Sequence, residues 1–134
     1  MGSKTDFLEN EILDHVLRGA TYTAPGSVAS ALFTVMPSDS TGGTEVTQAS
    51  SGYTRVTSTF VTAGATTAGR SQNSGAVNFA TATANYGDVV GWGLLDTTTF
   101  GAGNLLYWAT VTTTTINSGD QATFPVGNIV ITED

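Results

Sequence analysis

The stretch Leu105-Leu106-Tyr107-Trp108-Ala109-Thr110-Val111-Thr112-Thr113-Thr114 decides the fold class. It is dominated by branched and aromatic residues, the types that suit a pleated, half-buried backbone, and neither Gly nor Pro interrupts it. Alternation puts Leu105, Tyr107, Ala109 and Val111 on one face and Leu106, Trp108, Thr110 and Thr112 on the other. Both faces are apolar at the start, which predicts a strand lying centrally between two layers. Threonine takes over where the strand leaves the core, because its branched Cβ fits the pleat while its hydroxyl meets water.

The same signals recur on either side. Short runs rich in Val, Thr, Phe, Tyr and Trp predict strands at 28–35, 54–60, 76–79, 89–95, 105–114 and 123–131. The last three read as an antiparallel meander. The 96–104 connection holds Gly101 and Gly103, and Asn117-Ser118-Gly119-Asp120 is a strong hairpin turn. Residues 37–52 and 63–75 are rich in Ser, Thr and Gly and lack apolar periodicity. They read as long exposed connections or, with equal weight, as interaction arms.

The N-terminal segment differs. Leu8, Ile12 and Val16 recur every four residues, Leu13 and Leu17 widen the stripe, and Phe7 adds to it, so a helix is predicted over 4–17. Ser3 with Asp6 fits a variant capping box, Arg18 complements the C-terminal dipole, and Gly19 suits a left-handed stop. The expected architecture is therefore mainly β: an antiparallel β-sandwich, jelly-roll-like, with one N-terminal α-helix. The helix occupies residues 1–19 and the sandwich body residues 20–134, together one compact domain, as 134 residues allow.

Charge narrows the chemistry. Only 11% of residues are charged, against about 25% in ordinary soluble proteins, with 4 Lys+Arg to 11 Asp+Glu and a net charge of −7. Such a surface argues against nucleic acid, whose phosphates need bases to displace their counterions. With no cysteine there is no disulfide framework and no thiol nucleophile. Solubility must rest on hydroxyls, and threonine alone occurs 25 times. No apolar run approaches the roughly 18 residues of a membrane span, and the opening residues lead into a charged amphipathic segment, not an export signal.

Candidates for catalysis are few. Asp14 and His15 are neighbours on the predicted helix, about 100° apart around its axis, and cannot orient one another. Asp88 and Asp96 lie at opposite ends of a strand, too far apart for a carboxylate pair, and read as turn caps. The acidic loop around Asp39–Glu45 lacks the alternation of a calcium-binding loop. No catalytic, metal-binding or cofactor-binding residue is therefore assigned. Tyr53, Tyr86, Trp92 and Trp108 are either packing residues or exposed rings able to stack on a sugar. Arg55, one of four bases, calls for a fixed partner, and Glu45 is the natural one, giving a structural clamp.

The opening Thr5-Asp6-Phe7-Leu8-Glu9-Asn10-Glu11-Ile12-Leu13-Asp14-His15-Val16-Leu17-Arg18-Gly19, followed by Tyr22-Thr23-Ala24-Pro25, resembles that of small tailed-phage structural proteins labelled tail-fibre-like. The resemblance continues through Thr44-Glu45-Val46, Gly52-Tyr53-Thr54-Arg55, Ala82-Thr83-Ala84-Asn85-Tyr86-Gly87 and Gly103-Asn104-Leu105-Leu106-Tyr107-Trp108. Tyr86 stands where that family often has Trp. The resemblance implies a non-enzymatic virion component with a β-sandwich body, made in the host cytoplasm. Since the chain carries no shaft repeat or long coiled coil, the expectation leans to a capsid decoration (cement) protein. It would dock on the major capsid protein or another virion protein through the helix face of Phe7, Leu8, Ile12, Leu13, Val16 and Leu17. A homo-oligomer is expected, a trimer by preference. The other reading is a tail-fibre or tail-tip component, which alone would bring in a host glycan.

Overall fold

The computed structural model describes residues 3–133. Its frame is a hairpin of β7 (Gly87–Leu95) and β8 (Leu105–Ile116), beside which β2 (Val28–Val35) pairs along the far edge of β7. Two short strands, β3 (Thr44–Glu45) and β4 (Val56–Ser58), line the outer side of β2, and β1 (Ser3–Lys4) lines β8. Two antiparallel ribbons stand apart from this sheet. One joins β5 (Arg70–Gln72) to β10 (Val130–Thr132), and the other joins β6 (Val77–Asn78) to β9 (Thr123–Phe124). The protein is mainly β, with antiparallel sheets and one helix, α1 (Asp6–Arg18).

The core fills the space between the large sheet and the ribbons. Leu32, Val89, Trp92 and Ala109 from the sheet meet Val77, Phe79, Ile129 and Ile131 from the other layer. Trp92 is 1% exposed, and its indole N–H donates to Ser30 Oγ at 2.9 Å, which in turn shares a hydrogen bond with Ser58 Oγ. That chain satisfies each buried polar group as burial requires. The opposite face of the sheet holds a smaller cluster of Ala31, Phe33 and Leu95. Here Gly93 is obligatory: a Cβ on it would stand 2.7 Å from the Phe33 ring and from Leu105 Cδ1. The Gly91-Trp92-Gly93 triplet thus puts its bulk on one face and makes room on the other.

Four expectations need correcting. Strand 105–114 does lie inside the sheet, between β7 and β1, but its alternation breaks at the start, where Leu105 and Tyr107 join different clusters. Its apolar start on both faces arises from an irregular register, in which Leu94 opposes Tyr107 but Leu95 opposes Leu105. The bulge turns consecutive leucines to different surroundings. The three-strand meander also fails, since 123–131 is not one strand. Pro125 lacks an N–H to continue a ladder, the chain turns at Gly127 (φ +78°), and the two halves pair with different ribbons.

The segments 37–52 and 63–75 are only partly loops. The first contains β3 and the buried Val46. The second contains β5 and Asn73, which is wholly buried; residues 62–69 are exposed. Finally, the Ser3–Asp6 capping box does not form. Ser3 lies in β1, Thr5 occupies the cap position in extended conformation, and the Thr5 hydroxyl donates to the Leu105 carbonyl at 2.6 Å instead of to the helix. The C-terminal stop does form, with Gly19 left-handed at φ +68°.

Candidate docking surface

α1 is fastened to the body at its beginning. The Thr5 N–H donates to Leu106 O at 3.1 Å, and the Asp6 N–H, one of the free donors of the first turn, donates to Asp39 O at 3.0 Å. Lys4 pairs with Glu133, whose other carboxylate oxygen accepts from the Tyr107 hydroxyl at 2.7 Å. That carboxylate raises the Lys4 pKa, and burial, reinforced by Glu133, raises that of Tyr107. The two ends of the described chain are therefore clasped beside the start of the helix.

The structure splits the apolar stripe of this helix. Leu8 is buried, and Phe7 and Ile12 are partly covered. Leu13, Val16 and Leu17 stay exposed, at 54%, 71% and 74%. Leu13 follows Ile12 by one residue and so lies about 100° further round the axis; Val16 and Leu17 join it at three- and four-residue spacing. The helix carries one face for the body and a second that is left largely open by the described residues. His15 sits at the exposed end, its Nδ1 2.8 Å from Ala20 O, and Arg18 pairs with Asp14 at 3.2 Å, one helical turn away.

Glu45 and Arg55 meet in a two-pronged ion pair, Nε to Oε1 at 2.9 Å and Nη2 to Oε2 at 2.8 Å, with side chains only 3% (Arg55) and 11% (Glu45) exposed. The remaining Arg55 donor, Nη1, binds the carbonyls of Thr97 and Ala102 at 3.1 and 2.8 Å. On the other side the Tyr53 hydroxyl donates to Glu45 at 2.8 Å and accepts from the Leu32 N–H at 3.0 Å. Burial, followed by the Glu45 charge, pushes the Tyr53 pKa well above its ordinary value. This chain of bonds ties β2, β3 and the 97–102 loop together. Glu45 and Arg55 also line an open cavity of about 640 Å³ beside Phe33, Leu95 and Phe100.

Three of the four rings considered as sugar platforms are interior. Tyr53, Tyr86 and Trp92 belong to the core, Tyr53 stacking on Phe79 at 6.0 Å and meeting Tyr86 edge-on at 5.6 Å. Of the two readings the sequence left open for these rings, packing holds for all three. Trp108 alone of the four is partly exposed, with its N–H on Asp39 Oδ1 at 3.2 Å. Among the described residues no three His, Asp or Glu side chains gather as a metal site, and no helix is long and apolar enough to cross a membrane. Asp96 caps its loop by accepting from both the backbone N–H and the side-chain amide of Asn104.

Sequence reasoning missed Asn73. Its amide donates to Gly75 O at 2.8 Å and Pro125 O at 2.9 Å, and its Oδ1 accepts from the Ile129 N–H at 2.9 Å. It joins the two halves of the interrupted C-terminal segment. An Asn-Ser-Gly tripeptide reads only as a turn, and nothing in it signals a buried amide.

The chain's β-rich body and its single latched helix can now be set beside known proteins. A family model described as Podophage GP4 fiber I protein gp80 matches residues 3–132. The chain belongs to that family. The match to the fiber I family takes in every strand and the helix, so the exposed helix face and the Glu45–Arg55 ion pair both lie within it. No curated protein matches the chain.

Proposed function

We propose that the protein is a structural component of the fibre apparatus of a tailed phage, mounted on the virion through α1, and that it performs no catalysis. The observation that carries this reading is the family match over residues 3–132. The geometry supports it, because the buried ion pair and amide are spent on joining strands, while the surface left free is an apolar helix face. That family description favours the fibre over the capsid-decoration reading. The decoration reading keeps one point in its favour: the chain is a closed body with neither shaft nor repeat, a module attached to something larger. Self-assembly as a symmetric homo-oligomer, a trimer by preference, fits either position. The deciding experiment is an image reconstruction of virions with and without the protein. Difference density at the tail is expected; density spread over the shell lattice would replace the fibre assignment with decoration.

A further inference from the structure

We propose that the outer face of α1, formed by Leu13, Val16 and Leu17, seats in an apolar groove with a basic rim on another virion protein, and not on a second copy of this chain. The inference rests on the reading above that the protein is mounted on the virion, and adds the chemistry of its seat. Three aliphatic side chains spaced three and four residues apart form the pattern by which a helix lies in an apolar groove. They are also the largest grouping of exposed aliphatic residues on one element; Val35, Phe100 and Val126 are scattered over others.

Charge chooses between occupants. The helix carries Asp6, Glu9, Glu11 and Asp14 against Arg18, and Glu9 sits one turn before Leu13 on the same outer face. Asp14 is held by Arg18 and Glu11 lies half-buried on the opposite side of the helix, which leaves Asp6 and Glu9 exposed beside the seat. A second copy has little to offer them. Lys4 is committed to Glu133, Arg18 to Asp14 and Arg55 to Glu45, so Arg70 on β5 is the one base without a carboxylate partner among the described residues. Two chains of net charge −7 repel where their helices approach. A groove edged with Lys or Arg both covers the aliphatic residues and attracts the acids around them.

The test uses the full chain and phage particles assembled without it. Wild-type protein is expected to bind these particles saturably, more weakly as salt rises from about 0.05 to 0.5 M. The variant Leu13→Ser/Val16→Ser/Leu17→Ser is expected to melt within a few degrees of wild type, since these side chains are mostly exposed, and to bind about tenfold more weakly or worse. Glu9→Lys is expected to weaken binding about threefold or more at low salt and to lose part of the salt dependence. Triple-variant binding equal to wild type, or binding indifferent to salt and to Glu9→Lys, overturns the inference alone. Sedimentation that shows a larger wild-type species, dissolved by the triple substitution, overturns it in favour of a second copy. Particles that take up no wild-type protein overturn the virion reading and this inference with it.

Discussion

The β body and the N-terminal helix solve the same burial problem in opposite ways. In the body, polar side chains go inside and nearly all are paired, with Arg70 Nε the exception among the described residues: Trp92 on Ser30, Asn73 on three backbone groups, Arg55 on Glu45 and two carbonyls. On the helix, apolar side chains stay outside and unpaired, with Leu8 the one buried residue. The body uses its polar groups to hold strands together, while the helix leaves three aliphatic side chains at the surface.

The largest effect that would break this contrast lies in the body. Trp92→Ala removes the biggest buried side chain and orphans the Ser30–Ser58 pair, and should cost about 3–5 kcal/mol in denaturant unfolding. A loss under about 1 kcal/mol would mean the core is not built around it. Asn73→Ala comes next, at about 2–3 kcal/mol, because Pro125 O, Gly75 O and the Ile129 N–H lose their partner. Hydrogen exchange should show the 125–132 segment opening first.

Alkali tests the same interior. The Tyr53 pKa is raised above the ordinary 10.0 by burial and then by the Glu45 charge, and Tyr107 and Tyr86 shift the same way through burial. A raised acid keeps its proton in the fold while the unfolded chain loses it. Stability is therefore fully present below about pH 10 and falls as pH climbs beyond it. Urea midpoints measured from about pH 8 to 11 should drop only at the upper end, and Tyr53→Phe should flatten part of that drop.

The smallest effects belong to the helix. Leu8→Ala should cost about 1–2 kcal/mol and show first as lost amide protection within α1, leaving the sheet intact. Serine at Leu13, Val16 or Leu17 should change stability by no more than about 0.5 kcal/mol. A large loss at any of the three would show that the outer face is already covered, and would erase the distinction between the regions.

Much of this was legible in the residues. The run at Val28–Val35 was bounded correctly, because a mostly apolar stretch between Gly26 and Pro37 has few other readings. Gly19 marked the end of the helix, and scarcity of bases pointed Arg55 toward Glu45. Strands of two or three residues, as in β1, β3 and β5, were not legible, since so few residues have no period. Asn73 was hidden because its role depends on Pro125, over fifty positions away. The exposure of the helix was misread for a related reason: its stripe is continuous in sequence, and only the position of the sheet shows that it divides in two.

The clasp between Lys4 and Glu133 makes the chain almost a ring. A linker of a few residues could close it there, and new ends could be opened in the exposed 62–69 loop, away from both the core and Asn73. In such a permuted protein α1 would no longer be a terminal appendage but an internal lever flanked by sheet on both sides. The order of the chain would change while the contact surface stayed where it is.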